Sequence, residues 1–160
     1  MDEVRLKLKE ILNGNITVVG VGNTMMGDDG YGAVLADRVK NKVAAHVINA
    51  GTTPENHVRE IRDSNPDVIL IVDAADFGGV PGELRIFGRK DISLCGLSTH
   101  DASLGLFFEF LERQTHATVY MLAVQPGRSI LHTPMSGIIE RKCDEVESFL
   151  VELLPSQKAY

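Results

Sequence analysis

The chain has 160 residues, of which 44% are hydrophobic and 24% are charged, a composition typical of one folded domain with its own core. Its net charge is −6, from 22 acidic and 16 basic residues, and the scattered bases argue against a nucleic-acid binder. Apolar runs stay well below the about 20 residues that span a bilayer, so we expect no membrane insertion.

Helical and extended patterns alternate along the chain. Val4, Leu8 and Ile11 share one helical face, and the β-branched run at 16–21 then predicts a strand. The run VILIV at 68–72 suits a parallel strand that is covered on both faces. In chain order we predict a helix over 3–13, strand 16–21, a loop over 22–30, a helix marked by Leu35, Val39 and Val43, strand 46–49, a helix that begins at Thr53 and Pro54 and ends before Asn65, strand 68–72, a weaker edge strand 82–87, a helix marked by Leu104, Phe107, Phe108 and Leu111, strand 117–124 and a closing helix over 139–153.

This alternation predicts an α/β fold, a three-layer αβα sandwich with a mostly parallel, twisted sheet and helices on both faces. We interpret residues 1–160 as one domain with an N-terminal helical extension at about 3–13. Ligands of such sheets bind beyond the carboxyl ends of the strands. The candidate ligand-binding loops are therefore 22–30, 51–56 and 73–79, with the segment around His100.

The N-terminus shows no apolar stretch of signal-peptide type, so we expect a cytoplasmic protein. The two cysteines, Cys95 and Cys143, lie far apart and form no CxxC pair. We therefore expect buried free thiols rather than a disulfide framework or a structural zinc site.

The glycines after the first strand invite comparison with dinucleotide-binding loops. That fingerprint requires a third glycine three residues after the second, and Met25 occupies the position here. Asp28 and Asp29 then follow near the start of the next helix, where two carboxylates would repel a pyrophosphate. The sequence therefore disfavours an NAD site.

Asp28 and Asp29 have two interpretations from residue type alone. Either carboxylate can cap the helix, because free N–H groups and the helix dipole favour an acid there. Two adjacent acids also repel each other, which a bound cation or an acid–base function would explain. The residues by themselves leave both interpretations open.

Four segments, taken in order, resemble the nickel-iron hydrogenase maturation endopeptidases, which process the C-terminus of hydrogenase large subunits. They are GVGNTMMGDDG at 20–30, TPEN at 53–56, IVDAAD at 71–76 and STH at 98–100. The likeness is greatest to the branch that serves formate-hydrogenlyase-type hydrogenases, and it extends from about residue 16 to the last helix. The fold that the family implies is phosphorylase/hydrolase-like.

The resemblance implies a metal site formed by Asp29, Asp73 and His100. Two carboxylates neutralise a divalent ion, and an imidazole adds a nitrogen ligand that suits nickel, zinc or iron. Nickel itself is implied by the family alone; it would come from the substrate, and zinc or cadmium could replace it in crystals. By residue type alone, His100 could equally be a hydrogen-bonding residue, and Asp73 could cap a turn.

The implied reaction removes a short C-terminal extension from the precursor of a hydrogenase large subunit, after nickel insertion. Either the metal activates water, or a carboxylate does so as in aspartic-type proteases, with Asp28 the nearest spare acid beside Asp29. The HExxH and GxSxG patterns of other hydrolases are absent from the sequence. The expected substrate contacts are Gly22, Asn23, Met25, Met26 and Thr53.

A non-proteolytic nickel-binding protein or maturation chaperone is the alternative function, because the same ligands could hold metal without cutting. The four matched segments favour the enzyme. One departure concerns the mechanism: many relatives carry an aspartate where this chain has Asn49, so no carboxylate is available here as a base. Small size and a transient partner predict a monomer.

Overall fold

The computed structural model describes residues 2–94 and 104–156. Its elements in chain order are α1 (Asp2–Ile11), β1 (Ile16–Val21), a 3-10 turn (Gly27–Gly30), α2 (Tyr31–Val39), β2 (His46–Gly51), a second 3-10 turn (Pro54–His57), α3 (Val58–Asp63), β3 (Val68–Ala74), β4 (Leu84–Gly88), α4 (Arg89–Leu94), α5 (Leu104–Thr115), β5 (Thr118–Val124) and α6 (Gly137–Leu153). Within these described ranges, none of the helices has the length and apolar character that crossing a membrane requires.

The five strands that the structure describes form one mixed sheet in the order β2-β1-β3-β5-β4. β1 pairs in parallel with β2 and β3, and β3 pairs in parallel with β5. β4 pairs antiparallel with β5 at the edge, as its weaker pattern predicts. Because the other strands run in one direction, their carboxyl ends meet at one edge of the sheet. The predicted α/β class is confirmed.

Alternate side chains of the central strand β3 enter two cores, one on each face of the sheet. Leu70 and Val72 pack in the core to which α1, α2 and α6 contribute, whereas Ile69 and Ile71 pack in the core that includes residues of α3 and α5. Both faces of the strand are therefore covered, which explains its uninterrupted apolar run. Helices on both faces complete the three layers that the sequence predicts.

Glycines allow α2 to lie directly on the sheet. A Cβ on Gly20 would lie 2.2 Å from the carbonyl oxygen of Gly32, and a Cβ on Gly32 would lie 2.1 Å from the carbonyl oxygen of Val72. A side chain at either position would push the helix away from the strands. α2 therefore begins over the carboxyl ends of β1 and β3, and it holds the preceding loop at that edge.

Three local features differ from the sequence prediction. α2 ends at Val39, because Lys40 leaves the helical region and Asn41 has a φ of 68°, so Val43 packs from a loop instead. The segment after Thr53 begins as a 3-10 turn, and the threonine makes no side-chain capping hydrogen bond. Helix α4 was not predicted. The N-terminal helix forms as expected, while its interpretation as an extension of a single domain stays a prediction.

Candidate active site

Two of the predicted metal ligands, Asp29 and Asp73, lie where two neighbouring parallel strands end. Asp73 lies near the end of β3, where it pairs with Ala123 of β5. Asp29 lies in the 3-10 turn between β1 and α2. Because β1 and β3 are adjacent and parallel, both acids belong to the same edge of the sheet.

A hydrogen-bonded turn positions Asp29. The backbone N–H of Asn23 donates to the backbone oxygen of Asp29 at 3.1 Å and to its carboxylate Oδ2 at 3.2 Å. The side-chain Oδ1 of Asn23 accepts the N–H of Met25 at 3.0 Å, and its carbonyl oxygen accepts the N–H of Met26 at 3.0 Å. Asn23 thus organises the turn that carries Asp29, and substrate contacts by these residues stay predictions.

The electrostatics of Asp73 depend on its surroundings and on Asp29. Burial raises the pKa of the Asp73 carboxyl well above its ordinary value, and the charge of Asp29 raises it further, while the N–H of Ala74 lowers it through a hydrogen bond. Like charges on these two acids therefore disfavour each other. A divalent cation between them would remove that repulsion and favour the charged forms.

Asp28 is fully buried, and its carboxylate accepts four hydrogen bonds. Oδ2 accepts the N–H groups of Gly127 at 2.9 Å and Arg128 at 2.7 Å, and Oδ1 accepts the N–H and the hydroxyl of Ser136 at 2.7 and 2.8 Å. Burial alone would raise the pKa of Asp28, but these bonds outweigh it and hold the pKa below its ordinary value.

This geometry argues against the catalytic function predicted for Asp28. A buried carboxylate with a lowered pKa is a weak base, and both of its oxygens are already occupied. The capping interpretation does not apply to Asp28 either, because neither the 3-10 turn nor α2 has a side-chain capping hydrogen bond and the Asp28 oxygens bind donors of a distant loop. Asp28 instead links two segments of the chain, the turn that carries Asp29 and the loop between β5 and α6.

A second network holds the loop after β3. Asp76 accepts hydrogen bonds from the N–H of Gly78 at 3.0 Å and from Nε2 of Gln125 at 3.1 Å, and these hold the pKa of Asp76 below its ordinary value. Oε1 of the buried Gln125 accepts the N–H groups of Phe77 at 2.9 Å and Gly79 at 3.0 Å. Asp76 therefore orients its own loop. The anchoring by Gln125 was not predicted, although a polar residue directly after a buried strand was a usable signal.

Gly22 and Thr53 lie in the loops that follow β1 and β2. The N–H of Gly22 donates to the carbonyl of Gly51 at 2.9 Å, and a Cβ on Gly22 would lie 2.3 Å from the backbone oxygen of Asp29. Gly22 is therefore required for close backbone packing beside Asp29. Thr53 is exposed, and substrate binding by either residue stays a prediction.

Asn49 uses its amide for local structure. Its Nδ2 donates to Oδ1 of Asp37 on α2 at 3.1 Å, and its own Oδ1 accepts the N–H of Gly51 at 3.0 Å. An aspartate at this position would face the Asp37 carboxylate with no proton to donate. The amide is therefore suited to bridging the end of β2 to α2.

His100, the third predicted ligand, lies outside the described residues, as does Cys95, whereas Cys143 is a buried free thiol as predicted. Within 2–94 and 104–156, no three acidic, histidine or cysteine side chains come together as a metal site. The described part of the chain thus supplies two carboxylates of the predicted set, and the imidazole stays a prediction.

The family "HycI: Hydrogenase maturation protease" matches residues 31–153. The chain belongs to this family. A HycI-family relative, the hydrogenase 3 maturation protease of Escherichia coli K12, is 37% identical over 131 residues, which cover 80% of this chain and 81% of the relative. The family predicted from the four sequence segments is confirmed.

Solved structures of HycI proteins share the fold. The crystal structure of the [NiFe] hydrogenase maturation protease HycI from Thermococcus kodakarensis has a TM-score of 0.85 and 29% identity, with 92% of this chain and 98% of that chain covered. The solution structure of the endopeptidase HycI from Escherichia coli has a TM-score of 0.78 and 34% identity, with 87% and 90% covered. This HycI-family protein is therefore an endopeptidase of hydrogenase maturation, the class that processes the C-terminus of the large subunit.

Proposed function

We propose that this protease cleaves its precursor after nickel insertion, and that Asp29, Asp73 and His100 engage the nickel that the precursor carries. The feature that supports this most directly is the position of Asp29 and Asp73 at one edge of the sheet, where burial, and then the charge of Asp29, raises the pKa of Asp73. Two acids that disfavour each other's charge form an arrangement that a divalent cation stabilises.

The donor set fits such an ion. Two carboxylates balance its charge, and an imidazole from His100 would add the nitrogen ligand that suits nickel. Three protein ligands leave coordination positions open for the precursor or for water. When it is bound, the ion polarises a carbonyl and lowers the pKa of a coordinated water.

The residues around the two acids prepare them for this function. The backbone N–H of Asn23 holds Asp29 by donating to its carbonyl oxygen and to its carboxylate, and β3 fixes the backbone of Asp73. Because the Asp28 oxygens are occupied, Asp29 and Asp73 remain the acids of the predicted site that can hold an ion or activate a water. Recognition of bound nickel by these groups would make cleavage depend on metal insertion.

The test compares cleavage of nickel-loaded and nickel-free large-subunit precursor, with the released C-terminal peptide detected by mass spectrometry. We expect cleavage of the loaded precursor, and a fall in kcat/KM of about a hundredfold or more for Asp29→Asn, Asp73→Asn and His100→Ala. Asp76→Asn, which changes an acid of the neighbouring loop, is the matched control and should retain activity.

Equal cleavage of both precursors would overturn the dependence on nickel. Normal processing by the three variants would overturn the proposed ligand set. The cytoplasmic location and the monomeric state stay predictions, and analytical ultracentrifugation of the purified protein tests the second.

A further inference from the structure

Large apolar side chains are exposed to water beside the turn that carries Asp29. Met25 is 52% exposed, Ile130 is 55% exposed and Leu131 is 54% exposed. Single exposed apolar residues are ordinary, whereas grouped ones mark surfaces that bind a partner. Met25, Ile130 and Leu131 are called the apolar patch below.

Backbone pairing brings the members of the apolar patch together. The N–H of His132 donates to the carbonyl oxygen of Met25 at 2.7 Å. Met26 and Thr133 form a parallel β-bridge directly beside this bond. The turn at 130–133 therefore lies along the backbone of Met25, although more than one hundred residues separate the two segments in the sequence.

The turn that carries Ile130 and Leu131 is held on both sides. Within the turn, the hydroxyl of Thr133 donates to the carbonyl oxygen of Ile130 at 2.5 Å. On the other side, the N–H of Arg128 donates to the buried Asp28 carboxylate at 2.7 Å. A surface held in this way loses little conformational entropy when a partner binds, which favours affinity.

We propose that the apolar patch is the docking surface for an apolar stretch of the hydrogenase large-subunit precursor, close to the bond that is cut. The proposal rests on the proposed function, because it takes Asp29 as part of the cleavage site. The N–H of Asp29 donates to the carbonyl oxygen of Met26 at 3.1 Å, so the patch and the acid belong to one hydrogen-bonded unit. The docking surface is thus continuous with the site that the precursor must reach.

The chemistry of the patch selects an apolar occupant. About half of each side chain contacts water in the free protein, and an apolar segment of the precursor would cover that area. The centre of a protein interface is typically poor in charged residues, and the three patch side chains carry no charge. A strongly acidic or basic stretch of precursor would gain nothing from them.

The experiment measures kcat and KM on nickel-loaded precursor for the wild-type enzyme and for the double variant Ile130→Ser/Leu131→Ser. The matched control is Leu6→Ser, since Leu6 is 67% exposed but lies on α1. We expect the double variant to raise KM about tenfold or more while kcat changes less than about twofold. The control should keep both constants, and thermal unfolding should confirm that all three proteins are folded.

An unchanged KM in the double variant would overturn the docking proposal, as would an equal rise of KM in the Leu6→Ser control. A photo-crosslinking residue in place of Ile130 gives an independent measurement that does not depend on turnover. It should capture the precursor, whereas the same probe in place of Leu6 should not. If nickel-free precursor is cleaved equally well, the proposed nickel function fails, yet the KM comparison on that precursor still tests the patch.

Discussion

Replacing Asp28 with asparagine keeps the size of the side chain and removes its charge. In the wild-type protein, each carboxylate oxygen accepts two hydrogen bonds, Oδ2 from Gly127 and Arg128 and Oδ1 from the N–H and the hydroxyl of Ser136. An asparagine has one acceptor oxygen, so one pair of donors must face the amide NH₂ group. Because the site is fully buried, water cannot replace the lost acceptor.

The expected change in the free energy of unfolding follows from the least unfavourable orientation of the asparagine amide. If its NH₂ group faces Ser136, the serine hydroxyl can rotate and accept, which leaves only the Ser136 backbone N–H without a partner. An unsatisfied buried N–H costs about 1–3 kcal/mol, and the bonds from Gly127 and Arg128 each lose about 1 kcal/mol with the charge. We therefore expect Asp28→Asn to lower the free energy of unfolding by about 3–5 kcal/mol, a large share of the stability of a typical domain.

Urea unfolding near pH 7 measures this difference in the free energy of unfolding. The variant should unfold at a lower urea midpoint, and the dependence of its free energy on urea concentration should be unchanged. Asp76→Asn is the matched control, because it also removes a carboxylate that accepts loop hydrogen bonds, but at an exposed position. Its effect should be much smaller. If Asp28→Asn lowers the free energy of unfolding by less than about 1 kcal/mol, the four hydrogen bonds do not depend on a buried charge, and the predicted anchoring function of Asp28 is refuted.

The contribution of Asp28 to the free energy of unfolding should also depend on pH. Its folded-state pKa lies below the ordinary value of 3.8, so the carboxylate stabilises the folded protein above that pH. This contribution is lost as the pH falls through the lowered folded-state pKa. The difference between the wild type and Asp28→Asn should therefore narrow below pH 3.8, and a gap that stays constant would contradict a charge-based origin.

Tyr31 is fully buried, and its hydroxyl has no hydrogen-bond partner among the described residues. Tyr31→Phe should therefore leave the free energy of unfolding unchanged or raise it by up to about 1 kcal/mol. A marked fall in the melting temperature would show that the hydroxyl does have a partner. Burial raises the pKa of the Cys143 thiol to about 11, so little thiolate is present near pH 8. In a Cys95→Ser background, Cys143 should therefore react slowly with iodoacetamide in the folded protein and quickly in urea. Equal alkylation rates in the folded and unfolded protein would contradict its burial. Gly32→Ala should destabilise the protein by about 3 kcal/mol or prevent folding, because its Cβ would lie 2.1 Å from a backbone oxygen. Gly105→Ala in α5 is the control, because its Cβ would lie 3.9 Å from the nearest atom, a methyl carbon of Ile92. It should stabilise the protein by about 0.5–1 kcal/mol. Similar unfolding midpoints for the two variants would contradict the close packing of Gly32.

Much of the fold could be predicted because its signals are local. β1 and β3 follow the apolar and β-branched runs, and the closing helix follows its periodic apolar face. The edge position of β4 was predicted from its weaker pattern. The short helix α4 was not, because six residues offer too little periodicity for the pattern to be recognised.

The sequence also predicted that two acids of the candidate site lie at one edge of the sheet. Asp29 follows β1 and Asp73 lies near the end of β3, and neighbouring parallel strands carry such residues to one edge, so their shared position followed from chain order and the strand-end rule. The family could be predicted for the same reason, since its segments are short and contiguous.

Only the tertiary structure shows why Asp28 and Asp29 differ. The two acids are adjacent and of the same residue type, so residue type alone does not show which one can bind an ion, and the prediction of Asp29 as the ligand came from the family resemblance. The donors that bind Asp28 are Gly127, Arg128 and Ser136, which lie 99, 100 and 108 residues further along the chain. Their approach therefore depends on how β5 pairs with β3 and on how α6 packs against α2. Long-range packing buries one carboxylate among N–H donors and leaves the other beside Asp73, and that difference in environment decides what each acid can do.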